Sequence, residues 1–186
     1  MHRHPNLSKA LALIYLEALF CLSVIQLQAH ANDWKAFGAD NASTQYSPLK
    51  QIHQGNVKHL KVAWEYKSEP LNKKSRSQIQ CNPLVIDGVL YGSSPNLIIF
   101  AVDAATGEEK WQFNPFTKSN PVGVNRGLIF WEEAGKSRIL FTASHWLHAL
   151  DTKTGHLIPD FGYGGRIDLR KHLRPGAEKS FFLFTT

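Results

Sequence analysis

The 186-residue chain contains little sulfur, with two cysteines and one methionine. Cys21 lies in an apolar run near the N-terminus, so Cys81 would be the only cysteine left if that run were removed. A chain with one cysteine can form no internal disulfide and no cysteine-rich zinc site. Packing alone must therefore hold the rest of the fold together.

The positive charge is too dispersed to indicate nucleic-acid binding. The 21 basic and 15 acidic residues give a formal net charge of +6. The densest basic group is Lys73, Lys74 and Arg76, whereas a nucleic-acid-binding surface needs a larger cluster. Hydrophobic residues make up 43% of the chain, which is typical of a globular protein and excludes a disordered one.

The N-terminus has the layout of an export signal. The chain starts with a short polar segment, 1–9, that contains Arg3 and Lys9. An apolar stretch covers 10–27, and a small-x-small sequence follows at 29–31. These are the three parts of a secretory signal peptide. The rest of the chain is therefore predicted to lie outside the cytoplasm, in the periplasm.

Two boundaries follow from this pattern. Residues 1–31 are predicted to be the signal peptide and residues 32–186 the exported domain. Glu17 lies inside an apolar stretch that is long for a signal peptide. An uncleaved anchor helix, attached to the inner membrane, is therefore the alternative for residues 1–31.

Beyond the N-terminal segment the chain shows no helical periodicity of useful length. Short apolar runs rich in β-branched and aromatic residues recur instead, bounded by glycine, proline, asparagine and aspartate. The runs are 83–91, 97–102, 127–131, 138–142 and 146–150. This spacing predicts an all-β architecture.

One segment of the chain occurs twice. Residues 100–111 match residues 148–159, 48 positions later, through the pattern Ala-x-Asp-x-x-Thr-Gly. Residues 60–64 resemble the end of an earlier copy, because Trp64 and Trp111 are 47 positions apart. Repeats of about 40–50 residues that encode several strands are typical of β-propeller blades.

The repeated pattern has a physical explanation. Its aspartate can cap free backbone N–H groups in a hairpin turn, and its glycine can adopt a positive φ. Trp111 follows on the returning strand, where its ring can cover the gap to the next blade. Pro159 occupies the equivalent position in the later copy, so that strand end is expected to be irregular or to lie at an edge.

The length of the chain predicts an incomplete ring. One blade cannot bury both faces of its sheet, so blades stabilise one another by stacking. Residues 32–186 supply about three blades, whereas a closed propeller needs four to eight. The chain ends in a strand-like apolar run at 181–186. We therefore expect an arc of blades from the front of a longer protein.

The motifs along residues 33–174 follow one another in the order in which a known family has them. They are Asp33-Trp34, Tyr46-Ser-Pro-Leu49, Asn56-Val57, Ala63-Trp64, Gln80-Cys-Asn-Pro83, Asp87-Gly-Val-Leu-Tyr91, Asn125-Arg-Gly127, Pro159-Asp-Phe-Gly162 and Gly165-Arg-Ile-Asp-Leu169. Together they resemble the start of the quinoprotein dehydrogenases that use pyrroloquinoline quinone (PQQ).

The resemblance implies an eight-bladed propeller with PQQ and a divalent cation, usually calcium, at its axis. It also implies oxidation of alcohols, aldoses or polyols in the periplasm, with ubiquinone or a cytochrome as electron acceptor. The cation ligands and the catalytic aspartate of the family belong to later blades. We therefore assign no catalytic or metal-binding residue in this chain, and expect the 186 residues to be inactive alone.

The resemblance also bears on the substrate branch. The adjacent cysteine pair of the methanol and ethanol enzymes is absent, which favours the glucose and polyol branch. That branch often has histidine in the segment after the Asn-Arg-Gly motif, where this chain has Trp131. This difference argues against transferring glucose specificity.

Three residues match positions that contact PQQ in the family: Gln80, Arg126 and Thr186. PQQ is a planar tricarboxylate, so it requires cationic and hydrogen-bonding side chains. Arg126 can pair with a carboxylate through its forked donors. The alternative is a non-catalytic propeller of the same repeat type, serving as a periplasmic protein-binding scaffold, or a degenerate product without function.

Overall fold

The computed structural model describes residues 33–68, 78–116, 124–173 and 175–176. The expected signal peptide or anchor helix at 1–31 lies outside these ranges. Within them, the regular structure is β except for two short 3-10 helices, Val57–His59 and Leu169–His172. No helix in these ranges is long and apolar enough to span a bilayer.

Eight strands form two four-stranded antiparallel sheets. The first contains β1 (Leu84–Ile86), β2 (Val89–Ser93), β3 (Ile99–Asp103) and β4 (Glu109–Phe113). The second contains β5 (Ile129–Glu133), β6 (Lys136–Ala143), β7 (Trp146–Asp151) and β8 (Arg166–Asp168). In each sheet the strands pair in chain order, which is the arrangement of a propeller blade. The all-β prediction is confirmed.

The first hairpin of each sheet closes through two residues in left-handed conformation. Asp87 and Gly88 have φ of 50° and 74°, and Ala134 and Gly135 have φ of 50° and 73°. Positive φ at both central positions defines the hairpin turn whose twist matches that of the flanking strands. The apolar run 83–91 is therefore a tight hairpin, β1–β2, in the structure.

The Asp-x-x-Thr-Gly turns form as predicted. Asp103 Oδ1 accepts hydrogen bonds from the backbone N–H of Ala105 and Thr106, at 3.0 and 3.1 Å. Asp151 Oδ1 does the same for the second and third residues after it, at 3.0 and 2.9 Å. Gly107 and Gly155 have φ of 75° and 68°. The two turns are thus built alike.

The core lies where the two sheets pack face to face. Burial alternates along β6, where Ile139, Phe141 and Ala143 are buried. These side chains join residues of the first sheet, among them Ile99 and Ala101, in one cluster. Because alternate residues of a strand share a face, one face of each sheet builds this core.

Trp111 links the two sheets, and Trp64 links the segment before the first sheet to that sheet. Trp111, on β4, donates from Nε1 to the carbonyl oxygen of Thr152 at 2.9 Å. Trp64 donates from Nε1 to the carbonyl oxygen of Ala104 at 3.2 Å, the matching place in the first sheet. The predicted role of the tryptophans, covering the gap to the next blade, is confirmed.

The outer strand of the second sheet is irregular near Pro159, as expected. Its pairing starts at a bridge between Leu150 and Leu157, leaves the sheet through a run of turns, and resumes at β8. Pro159 is exposed in that run. The outer edge of the second blade therefore carries an inserted loop where the first blade has a continuous strand.

The segment around Trp64 packs like an outer strand. The rings of Tyr66 and Phe100 lie 4.9 Å apart, and those of Phe113 and His148 lie 6.2 Å apart at the equivalent place. No strand is assigned at residues 60–68. The described residues thus contain two complete sheets and this docked segment. The expected arc of about three blades stays a prediction.

Candidate functional site

An open cleft of about 1170 Å³ lies where the two sheets begin. Three segments line it: residues at 33–41, residues at 80–82 just before β1, and residues at 126–130 leading into β5. The cleft is therefore formed by the residues at the start of both sheets together with the segment 33–41.

Asn82 joins the two sheets at this cleft. Its backbone N–H and its side-chain Nδ2 each donate to the carbonyl oxygen of Arg126 at 3.0 Å. A parallel bridge connects Asn82 with Gly127. The backbone of Arg126 is thus tied to the first sheet by two donors from one residue.

Asn125 fixes the backbone around Arg126 to the second sheet. Its buried side chain accepts from the N–H of Gly127 at 2.9 Å, and its Nδ2 lies 3.4 Å from the carbonyl oxygen of Thr142. Arg126, between these two anchored neighbours, has an exposed side chain that lines the cleft. A fixed backbone therefore carries a solvent-accessible guanidinium.

Gln80 lies on the same side of the chain as Asn82. In an extended backbone, residues two apart point the same way, and both side chains line the cleft. The structure therefore brings Gln80 and Arg126, predicted from the sequence, to one site. Thr186, the third predicted contact, lies outside the described residues.

The segment 33–41 forms a third wall of the cleft. Trp34 and Val85 exchange backbone hydrogen bonds of 2.7 and 3.1 Å. The carboxylate of Asp33 accepts from the N–H of Asp87 at 3.0 Å. These long-range contacts pin the segment against β1.

Lys35 adds a second cation to the cleft. Its Nζ lies 3.4 Å from Asp33, 3.9 Å from Glu132, and 5.5 Å from the ring centre of Phe130. Sequence reasoning missed both Lys35 and Asn82. The alternation of strand residues after Gln80 could have indicated Asn82, whereas no local signal indicates Lys35.

The side chains of the cleft suit a carboxylate-bearing ligand. The guanidinium of Arg126 can donate two parallel hydrogen bonds to a carboxylate, and the amide of Gln80 can donate a further one. The ring of Phe37 is exposed in the same cleft. Among the residues that the structure describes, no group of three histidine, cysteine or acidic side chains could hold a metal ion.

Cys81 and His148 take no part in this chemistry. Burial raises the pKa of the Cys81 thiol, which packs against the core, so little thiolate is available to react. His148 is buried between the sheets and stacks on Phe141 at 4.9 Å. Burial, followed by the positive charge of Arg166, lowers its pKa to about 4. Both side chains belong to the core.

Comparison with known proteins agrees with this fold. A family model described as "PQQ: Glucose/ethanol/alcohol dehydrogenase, beta-propeller domain" matches residues 34–186. The dehydrogenase subunit of the alcohol dehydrogenase (quinone) of Gluconacetobacter polyoxogenes is 36% identical over 143 residues, covering 73% of this chain and 18% of the relative. The quinoprotein glucose dehydrogenase of Gluconobacter oxydans is 32% identical over 166 residues, covering 78% and 20%.

A solved structure shows the same relationship. The quinohemoprotein alcohol dehydrogenase from Comamonas testosteroni aligns with a TM-score of 0.59 at 30% identity, over 83% of this chain and 22% of that chain. The chain thus spans about a fifth of the length of the relatives it matches. The match over residues 34–186 and these identities show that the chain belongs to the family of PQQ-dependent quinoprotein dehydrogenases, in its β-propeller domain.

Proposed function

We propose that the chain is the N-terminal part of a PQQ-dependent dehydrogenase that oxidises the CH–OH group of alcohols, aldoses or polyols. Relatives are named as alcohol and glucose dehydrogenases, and one as a 1-butanol dehydrogenase (cytochrome c). These names support a small alcohol or sugar as substrate. They also support a cytochrome as electron acceptor, with ubiquinone as the alternative.

The observation that carries the proposal is the meeting of Gln80 and Arg126 in one cleft. PQQ bears three carboxylates on a planar ring system, and the donors of this cleft fit that chemistry. Arg126 would bind one carboxylate, while the amide of Gln80 would donate to a neighbouring oxygen. When bound, PQQ supplies the acceptor for the two electrons of the substrate C–H bond.

The residues of the cleft suit binding and orientation better than proton transfer. The two carboxylates of the lining, Asp33 and Asp40, are engaged by Lys35 and by Thr44, which leaves the guanidinium of Arg126 and the amides to face a ligand. The calcium ion expected in the family, its ligands and the catalytic base are proposed to lie in blades beyond this chain. The 186 residues alone are therefore proposed to be inactive.

Export is also part of the proposal. The basic, apolar and small-x-small order of residues 1–31 supports secretion to the periplasm, by a cleaved signal or with the segment retained as a membrane anchor. The substrates and electron acceptors of the relatives fit that compartment, because exported dehydrogenases can pass electrons to the membrane.

Binding of PQQ tests the proposal directly. PQQ is titrated into the purified chain while tryptophan fluorescence is followed, and Arg126→Ala is expected to raise the Kd about tenfold. Lys136→Ala is the matched control, because it removes an exposed positive charge from the β5–β6 hairpin, outside the cleft. Equal binding by both variants and the unsubstituted chain would remove Arg126 from the site.

A dye-reduction assay with alcohol or glucose, PQQ and calcium tests the second part. We expect no reduction by the chain alone, and turnover would contradict the placement of the catalytic groups in later blades. Failure to bind PQQ would favour the alternative function, a periplasmic propeller that binds other proteins without catalysis.

A further inference from the structure

One residue connects the two predicted cofactor contacts. Gln80 is two residues before Asn82, and Asn82 donates twice to the carbonyl oxygen of Arg126. This joint therefore helps to set the positions of Gln80 and Arg126 relative to each other, beside the core packing between the sheets. Arg126 itself has an exposed side chain, so its own packing does little to fix its position.

The contact between the two sheets at Asn82 consists of few hydrogen bonds. Within the described residues, the parallel bridge between Asn82 and Gly127 is isolated, and no parallel strand pair continues it. Asn125 anchors the next residue to β6 from the other side. Removing the Asn82 amide would leave one backbone hydrogen bond to hold the carbonyl of Arg126 against the first sheet.

We propose that Asn82 is a positioning residue for Arg126: by clamping the Arg126 carbonyl, it sets the spacing between the guanidinium and Gln80 that a rigid polycarboxylate requires. This inference rests on the proposed function, because it takes PQQ as the ligand of the cleft. Rigid ligands bind more tightly to donors that are already in place, since less freedom is lost on binding.

The clamp itself can be tested without cofactor. Backbone 15N relaxation is measured at Gly127 in the full chain and in Asn82→Ala. Gly127 is expected to have an order parameter near 0.85, as in rigid backbone, and Asn82→Ala is expected to lower it clearly. Asn114→Ala is the matched control, because Asn114 lies outside the cleft and, within the described residues, its side chain accepts a local hydrogen bond from the N–H of Phe116. An unchanged order parameter in Asn82→Ala would overturn the clamp.

A double-mutant cycle tests whether Asn82 acts through Arg126. The Kd for PQQ is measured for the unsubstituted chain, Asn82→Ala, Arg126→Ala and the double variant. Asn82→Ala is expected to raise the Kd about fivefold when Arg126 is present and less than twofold when it is replaced. A direct contact between Asn82 and PQQ, or a general loss of stability, would give the same factor in both backgrounds and would contradict the positioning role.

The outcomes separate the two proposals. If Arg126→Ala weakens binding but the cycle shows no coupling, the proposed site stands and the role of Asn82 is wrong. If the unsubstituted chain binds no PQQ, the proposed function fails, and the role of Asn82 toward that ligand fails with it. Near-ultraviolet circular dichroism of each variant verifies that the fold is retained, which the remaining backbone bond of residue 82 should ensure.

Discussion

The indole ring of Trp111 lies against Gly155, so closely that a Cβ atom on that glycine would come within 2.5 Å of the ring. Trp64 bears the same relation to Gly107, where the distance would be 2.6 Å. Each glycine also has a positive φ. The glycine of each Thr-Gly turn thus leaves the space that the ring of the preceding repeat tryptophan occupies.

Gly155→Ala is expected to lower the free energy of unfolding by roughly 3 kcal/mol, from left-handed strain and overlap with Trp111. Gly135→Ala is the matched control, because Gly135 has a φ of 73° but no atom within 4 Å of the place that an alanine methyl group would take. It should cost only about 1 kcal/mol. Urea unfolding measures both, and equal losses would disprove the steric role of the contact.

Trp111→Ala should destabilise the chain more than Trp64→Ala. Trp111 is 9% exposed and lies on a paired strand, whereas Trp64 is half-buried on a segment without an assigned strand. We expect losses of about 4 and about 2 kcal/mol, respectively. Thermal and urea denaturation followed by circular dichroism compare the two. A larger loss for Trp64→Ala would mean that the segment around it contributes more than its burial indicates.

Because His148 is buried, we expect the chain to lose stability in mild acid. The pKa of His148 is about 4 in the folded chain because burial disfavours the charged ring, against about 6.5 when unfolded. Between these values the unfolded state binds more protons, so stability is full above pH 6.5 and falls as the pH drops toward 4. The loss over this window is roughly 3 kcal/mol.

His148→Phe is the variant that isolates this effect. Phe100 occupies the equivalent position in the first sheet, where its ring packs against Tyr66. The variant should weaken the dependence of the free energy of unfolding on pH between 6.5 and 4, and the part that remains includes that of His145, whose pKa burial also lowers. The pKa of Asp168 is lowered to about 2 by its hydrogen bonds to Arg170, so its contribution is lost below that window and does not mask the result.

Arg126→Lys separates charge from geometry at the cleft. Lysine keeps the positive charge but cannot donate two parallel hydrogen bonds to one carboxylate. We expect PQQ to bind about threefold more weakly than to the unsubstituted chain, yet more tightly than to Arg126→Ala. Stability should not change, because the side chain is exposed. Binding as weak as that of Arg126→Ala would show that paired donation, not charge, dominates.

The elements predicted correctly are those whose contacts are local. In the Asp-x-x-Thr-Gly turn, Asp103 bonds to N–H groups two and three residues ahead. Such hydrogen bonds depend on the order of a few neighbouring residues, so the sequence pattern is sufficient to predict them. The place of Trp111 on the strand after this turn follows in the same way from its spacing to the glycine.

The cleft was predictable only in part. Gln80 and Arg126 were found through a family resemblance, and Asn82 could have followed from strand alternation. Lys35 could not be found this way. Its position depends on the pairing of Trp34 with Val85, residues 51 positions apart, and no local pattern specifies such a partner.

The amino-acid order therefore accounts for the strands, the turns and the repeated tryptophan, because each follows from the side chains and backbone of a short segment. The composition of the cleft was decided by the packing of the two sheets and by the pairing of the segment 33–41 with β1. Those contacts join residues that are distant along the chain, and their free energy depends on shapes that exist only once the sheets have formed.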